Sequence, residues 1–214
     1  MSWVVLLFST TVAAVIGLNA TLLATLAVPS LRIWPPSGRD TWQYRLTWTL
    51  FTLSFVGFLV VGGLDAGSLG LRRWLGEGGT LILGSMLFMG GTALASYAMG
   101  FLGLRGALGL EAELVTEGPF ALSRNPGYVG DLLLIVGFVL LTDSRLAGVV
   151  GVVGALWFLL APLAEEPWLE EQYGDAYRRY KERHPRFLGL LRGMRLGFDD
   201  CDENISVVTE YFVK

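Results

Sequence analysis

Residues 128–163 read YVGDLLLIVGFVLLTDSRLAGVVGVVGALWFLLAPL, and they decide the fold. Two apolar runs, 128–141 and 146–163, are joined by four polar residues, 142–145. The first run carries one charged residue, Asp131, and the second carries none. Runs of roughly 20 apolar residues are long enough to cross a bilayer as helices, and so short a link holds such helices side by side. The stretch therefore predicts an antiparallel helical hairpin in a membrane.

Three more apolar runs precede the hairpin, at 3–28, 42–63 and 81–99. Pro29 ends the first run, and Asp40 and Thr41 are suitable N-cap residues for the second. The first run is too long for a signal-peptide core and has no basic residues before it, so we expect a retained helix. Only 16% of the chain is charged, against about 25% in soluble domains. We therefore predict an all-α polytopic membrane protein with about five transmembrane helices.

The positions of the basic residues predict the orientation. Five spans put the two termini on opposite sides of the membrane. Most of the 16 Lys and Arg residues fall on the side of the C-terminus, and Arg72, Arg73 and Arg145 fall on the other. The positive-inside rule then favours an outside N-terminus and a cytosolic C-terminus.

Several kinds of site have little support in the sequence. A single cysteine, Cys201, excludes an internal disulfide or a cysteine-based metal site, and a single histidine, His184, leaves little for a zinc site or a Ser-His-Asp triad. No dinucleotide fingerprint follows a strand and no phosphate-binding loop is present. Glycines recur every third residue from Gly100 to Gly109. We favour a flexible exit from the membrane there over a backbone surface that admits a ligand.

The segment 113–131 carries candidate chemistry. Gly118-Pro119 predicts a turn, and Pro126 suits the start of a helix. Tyr128 and Asp131, three residues apart, share one helical face. An ionisable residue in a membrane helix is a candidate functional residue, although Asp131 would also suit an interfacial cap.

A second polar segment follows the hairpin. Glu165 and Glu166 stand at the membrane exit, where a carboxylate pair is either ordinary solvation of a helix end or part of a site. Tyr173, Tyr177 and Tyr180 recur at helical spacing and predict an amphipathic helix packed on the membrane end. Because the hairpin returns to the side where it started, the carboxylates and the corner at 125–131 should form one site.

These segments resemble the isoprenylcysteine carboxyl methyltransferase family, its bacterial and archaeal relatives, and the phospholipid N-methyltransferases. The resemblance covers about residues 113–187. It rests on Gly118-Pro119-Phe120, Arg124-Asn125-Pro126-Gly127-Tyr128-Val129-Gly130, Glu165-Glu166, Leu169, Tyr173-Gly174, Tyr177, Tyr180 and Pro185-Arg186-Phe187.

The resemblance implies a methyltransferase that uses S-adenosylmethionine, bound at the cytosolic membrane face between the hairpin and the C-terminal helix. Glu165, Tyr128 and Asp131 would be the catalytic residues. The cofactor-binding residues would be Arg105, Ala112, Glu113, Leu114, Val115, Phe120, Asn125, Pro126, Gly127, Tyr128 and Glu165. The acceptor would be a lipophilic molecule from the bilayer, similar to an isoprenylcysteine carboxylate or a lipid, with no role for nucleic acid and no metal.

Two departures keep other functions open. Ala161 stands where the eukaryotic enzymes have arginine, and Asp131 after Gly130 resembles the NADPH-dependent membrane sterol reductases. The alternatives are thus a membrane reductase and a non-catalytic membrane scaffold. The acceptor atom and the oligomeric state stay open. We expect a prokaryotic inner or plasma membrane protein with helices 1–3 in residues 1–104, a cofactor-binding region in 105–195 and an acidic tail in 196–214.

Overall fold

The computed structural model describes residues 2–187, and this part of the chain is helical without strands. The helices are α1 (Ser2–Ala27), α2 (Trp42–Leu64), α3 (Arg72–Leu75), α4 (Glu77–Ala107), α5 (Pro126–Thr142), α6 (Arg145–Tyr173) and α7 (Asp175–Arg183). Two 3₁₀ turns lie at Pro29–Leu31 and Gly118–Ala121. The predicted all-α class is confirmed. The acidic tail, 196–214, lies outside the described residues, and the division at residue 104 stays a prediction.

The long helices have the lengths that a membrane requires. By length and composition, α1, α2, α4 and α6 can each cross a bilayer, and α5 is a shorter apolar helix of 17 residues. The predicted polytopic architecture is confirmed, with α5 and α6 as the hairpin. Thr41 caps α2 as predicted, since its hydroxyl accepts a hydrogen bond from the Tyr44 amide at 3.3 Å.

Glycines bring α4 and α5 into backbone contact. A Cβ atom on Gly130 of α5 would lie 2.6 Å from the Ala95 nitrogen of α4, and one on Gly91 would lie 2.5 Å from the Gly130 oxygen. Neither position can carry a side chain without separating the helices. Small residues at such contacts favour close helix association in membranes, so α5 lies closely along α4.

One end of the bundle is closed by a carboxylate at the end of α2. Asp65 Oδ2 accepts hydrogen bonds from Ser68 Oγ at 2.6 Å, Ser144 Oγ at 2.8 Å and the Leu146 amide at 2.9 Å. Burial raises the pKa of Asp65, but these hydrogen bonds outweigh burial and hold the pKa below its ordinary value. The link between α5 and α6, Asp143 and Ser144, is thereby fastened to α2.

The opposite end is more elaborate than the sequence predicted. The glycine-rich stretch is not a flexible exit, because α4 continues to Ala107 with a kink at Gly103, whose φ of 65° suits glycine. Likewise α6 continues past the predicted exit at residue 163 to Tyr173. Gly174, with φ of 54°, then turns the chain into α7, the predicted amphipathic helix.

Candidate active site

A cavity of about 180 Å³, called the end cavity here, lies where α4 ends and α5 begins. Loop 108–117, the start of α5, the last turns of α6 and α7 form its walls. The predicted site residues that line it are Ala112, Glu113, Leu114, Val115, Phe120, Asn125, Gly127, Tyr128, Asp131 and Glu165. Arg105 and Pro126 are not in the lining. Arg105 is exposed and donates through Nε to the Glu111 carbonyl at 3.0 Å, and Pro126 is buried at the start of α5.

Glu165 is held by two aromatic donors. Its Oε1 accepts a hydrogen bond from Trp34 Nε1 at 2.6 Å and another from the Tyr128 hydroxyl. No described residue donates to its Oε2. The hairpin therefore joins Tyr128 and Glu165, as the sequence predicted, and leaves one carboxylate oxygen for a ligand.

Trp34 is a site residue that the sequence did not reveal. It lies between α1 and α2, is only 5% exposed, and packs edge-on against Trp157 with ring centroids 5.1 Å apart. A Cβ atom on Gly109 would lie 2.6 Å from its Cη2, so the loop after α4 has to pass it with glycine. The one signal was a tryptophan before two prolines, 35–36, on the side of the predicted site.

Glu166 has a different role from its neighbour. Successive helical residues point about 100° apart, and Glu166 turns toward Arg124 Nη1 at 2.9 Å and toward Arg186 Nε at 2.7 Å and Nη2 at 2.9 Å. Lys181 Nζ adds a fourth contact at 3.5 Å. Glu166 is only 6% exposed, so this network fastens the segment after α7 to the corner before α5. Hence the two carboxylates do not simply solvate a helix end, and each has its own set of partners.

Backbone contacts reinforce this closure. Asn125 Nδ2 donates to the Arg186 carbonyl at 2.9 Å, and the Arg124 amide donates to the Pro185 carbonyl at 2.9 Å. The Asn125 side chain therefore supports the corner as well as lining the end cavity. Residues 185–187, the Pro-Arg-Phe part of the motif, therefore connect the segment after α7 to this corner.

Three tyrosines build the wall opposite α5. Tyr173 donates to the Ala112 carbonyl at 2.5 Å, and Tyr180 donates to the Phe120 carbonyl at 2.7 Å. Burial raises the pKa of Tyr177 to about 12. This shift favours the protonated hydroxyl of Tyr177 at physiological pH.

A second cavity of about 330 Å³, the core cavity, lies inside the bundle among α1, α2, α4, α5 and α6. It shares five lining residues with the end cavity, namely Trp34, Met99, Ala107, Tyr128 and Asp131. No described residue is hydrogen-bonded to or ion-paired with the Asp131 carboxylate. Asn125, rather than Asp131, is the N-cap residue of α5. Asp131 is therefore not an interfacial cap but a free carboxylate where two cavities meet.

An apolar cluster occupies the place of the arginine of the eukaryotic enzymes. Ala161 is fully buried and packs in one cluster with Leu18, Leu22, Trp34 and Trp157. The site thus places Trp34 and Trp157 next to Ala161.

Residues 80–176 match a family model described as phospholipid methyltransferase. The match supports a relationship to the methyltransferases of membrane lipids. It spans α4, α5 and α6 and leaves out Trp34 and Arg186, which complete the site. Comparisons with curated proteins and with solved structures gave no match.

Proposed function

We propose that this protein is an integral membrane methyltransferase that uses S-adenosylmethionine and acts on a lipophilic acceptor. The observation that carries the proposal is the meeting of two unlike cavities at Tyr128 and Asp131. One is at the end of the bundle and has carboxylate and arginine side chains in its wall. The other has mostly apolar walls and lies among the long apolar helices. Such a pair of adjoining chambers suits a reaction between a polar and a lipophilic partner.

The end cavity fits the chemistry of this cofactor, which combines two cationic groups, a carboxylate and an adenine. Glu165 offers a carboxylate oxygen without a donor among the described residues. Arg124, in the same lining, has a buried Nε without a partner among them. Phe120 is a buried aromatic face for a base. Glu165 would thus hold a cation, Arg124 the carboxylate and Phe120 the adenine.

S-adenosylmethionine supplies an already activated methyl group, so the chain needs little acid–base chemistry. Trp34 and Tyr128 keep the Glu165 carboxylate in place. Asp131, at the junction, can accept the proton of the acceptor's reacting group. The apolar walls of the core cavity exclude water and align the acceptor with the junction.

We also propose that the end cavity faces the cytosol. The loops and helix ends at that end of the bundle carry basic residues, as the cytosolic side of a membrane protein does. These are Arg32, Arg39, Arg45, Arg105 and Arg124.

The test is ligand-induced thermal stabilisation of the detergent-purified protein, with S-adenosylhomocysteine and NADPH as parallel ligands. A ligand at 100 times its Kd adds about 2.7 kcal/mol. We expect a shift with S-adenosylhomocysteine and none with NADPH. Glu165→Gln removes the charge that would hold the cation, and Trp34→Phe removes a donor that keeps this carboxylate in place. A hydrogen bond to a charged group is worth about 1.5–3 kcal/mol, so each variant should raise the Kd by roughly tenfold or more.

Glu171→Gln is the matched control, because Glu171 is an exposed residue of the same helix. It should leave the Kd unchanged. A shift with NADPH alone would favour the reductase, and no shift with either ligand would favour the non-catalytic scaffold. Both results would overturn the proposal.

A further inference from the structure

The core cavity contains polar atoms that nothing in the described chain satisfies. Thr47 Oγ1, Trp48 Nε1, Ser54 Oγ and Trp157 Nε1 are buried without a hydrogen-bond partner among residues 2–187, and all four residues line this cavity. Thr47 is 1% exposed, Trp157 3% and Ser54 8%. Leaving such a group unsatisfied costs about 1–3 kcal/mol. Four of them in one apolar chamber therefore need an explanation.

Other hydroxyl groups in the bundle do have a hydrogen-bond partner. Thr11, Thr52 and Thr92 each donate to the carbonyl one turn earlier, at 2.8, 2.8 and 2.7 Å. The same bond is open to Thr47 and Ser54, which lie on the same helix as Thr52, and neither makes it. Their hydroxyls therefore have no partner among the described residues, and the two residues that carry them line the core cavity.

The size of the core cavity limits that molecule. Pockets for small molecules measure about 300–1,000 Å³, so 330 Å³ holds a ligand of a few rings. We infer that the cavity opens between α2 and α4, because these helices have no packed interface in the described chain and both contribute exposed residues to the lining. Phe55 of α2, 43% exposed, and Met99 of α4, 48% exposed, lie at this opening. A phospholipid with two acyl chains does not fit inside.

The donors limit its chemistry further. An indole N–H can only donate, so Trp48 and Trp157 need acceptor atoms in the ligand. Thr47 and Ser54 are seven residues apart, which is about 10 Å along α2. A hydrocarbon prenyl chain has no atom to offer to groups spread over that distance.

We propose that the core cavity binds a ring-sized lipophilic molecule with two oxygens, one facing Asp131 and the other accepting a hydrogen bond from one or two of the donors on Thr47, Trp48, Ser54 and Trp157. That this molecule is the methyl acceptor rests on the proposed function. Its binding rests on the core cavity alone.

The test compares two naphthols that differ by one atom. 6-Methoxy-2-naphthol carries the second oxygen, and 6-ethyl-2-naphthol has a methylene in its place. Their Kd values are measured by calorimetry on the full-length protein in detergent, without cofactor, against protein-free micelles. One hydrogen bond is worth about 0.5–1.5 kcal/mol, so we expect the methoxy compound to bind about two- to tenfold more tightly.

Variants of α2 assign that preference to the cavity. The double variant Thr47→Val, Ser54→Ala keeps the packing volume and removes both hydroxyls, and Trp48→Phe removes an indole donor. Each variant should reduce the difference in Kd between the two naphthols. Thr52→Val, whose hydroxyl is exposed and already bonded to the Trp48 carbonyl, should leave the difference intact. The thermal midpoint of each variant verifies its folding.

The outcomes separate the two proposals. Equal affinity of the wild type for the two naphthols, or a preference that survives both α2 variants, would reject the inference even if S-adenosylhomocysteine binds. Displacement of the naphthol by short-chain phosphatidylethanolamine at similar affinity would reject the compact ligand. A naphthol preference without S-adenosylhomocysteine binding would leave the binding site standing and remove its role in methylation.

Discussion

The Glu166 network gives the sharpest prediction, because its energetic weight follows from the structure. Glu166 accepts three hydrogen bonds from Arg124 and Arg186 within 2.9 Å and is nearly buried. Glu166→Gln keeps the shape of the side chain, removes its charge and turns one acceptor into a donor that faces a guanidinium. The segment 185–187 should then be held to the corner before α5 mainly by the hydrogen bonds of its backbone carbonyls.

The expected cost lies below that of a fully buried pair. Breaking a buried ion pair costs about 3–5 kcal/mol. The Arg186 side chain is 36% exposed and that of Lys181 is 39% exposed, so water screens part of the network. We therefore expect about 2–3 kcal/mol. For a chain of this size that lowers the thermal midpoint by about 5–10 °C.

The assay is the thermal midpoint in detergent for the wild type, Glu166→Gln, Arg186→Gln and the double variant. If the two side chains act together, the double variant loses less than the sum of the singles. The exposed Glu171→Gln is the control and should not shift. A Glu166→Gln midpoint within about 1 °C of the wild type, or strictly additive losses, would refute a stabilising role of the network between Glu166 and Arg186.

Two further predictions concern the bundle itself. Gly130→Ala inserts a methyl group 2.6 Å from the Ala95 nitrogen and should lower the thermal midpoint by the equivalent of about 1–3 kcal/mol, whereas Gly90→Ala, with open space around it, should not. Equal midpoints for the two variants would contradict the backbone contact. Asp65→Asn removes the charge from a carboxylate that accepts three hydrogen bonds and should cost about 1–2 kcal/mol at neutral pH. Because the folded pKa of Asp65 is lowered, the wild-type advantage is full above the ordinary value of 3.8 and is lost as the pH falls further. Unfolding curves at pH 7 and pH 3 check this, with the exposed Asp40→Asn as control, and an advantage that grows in acid would contradict it.

The sequence predicted the spans well because membranes leave the backbone few options. Apolar segments must satisfy their own backbone hydrogen bonds, so long apolar runs become helices. α2 begins at Trp42, as predicted. The prediction failed where tertiary contacts decide. α6 extends to Tyr173 although Pro162 and Pro167 lie inside it, because its last turns bury Glu166 against Arg124 and Arg186.

The sequence predicted some of the residues that meet at the candidate site and missed others. The hairpin has to bring Tyr128 close to Glu165, and the structure joins them by a hydrogen bond. Trp34 escaped prediction because it comes from a loop outside the motif, more than 90 residues before Tyr128. No periodicity or spacing links such distant positions.

The helices, their hairpin and the polar end of the bundle were predictable from the residues, because they depend on local apolarity and on short links. Tertiary contacts, in contrast, make Glu165 part of the Trp34 and Tyr128 contacts in the end cavity and Glu166 part of the network with Arg124 and Arg186. Neighbouring residues on a helix point in different directions, and what each meets depends on distant segments. The same holds for the core cavity, whose unpaired donors become visible only when α2 and α6 are packed with their neighbours.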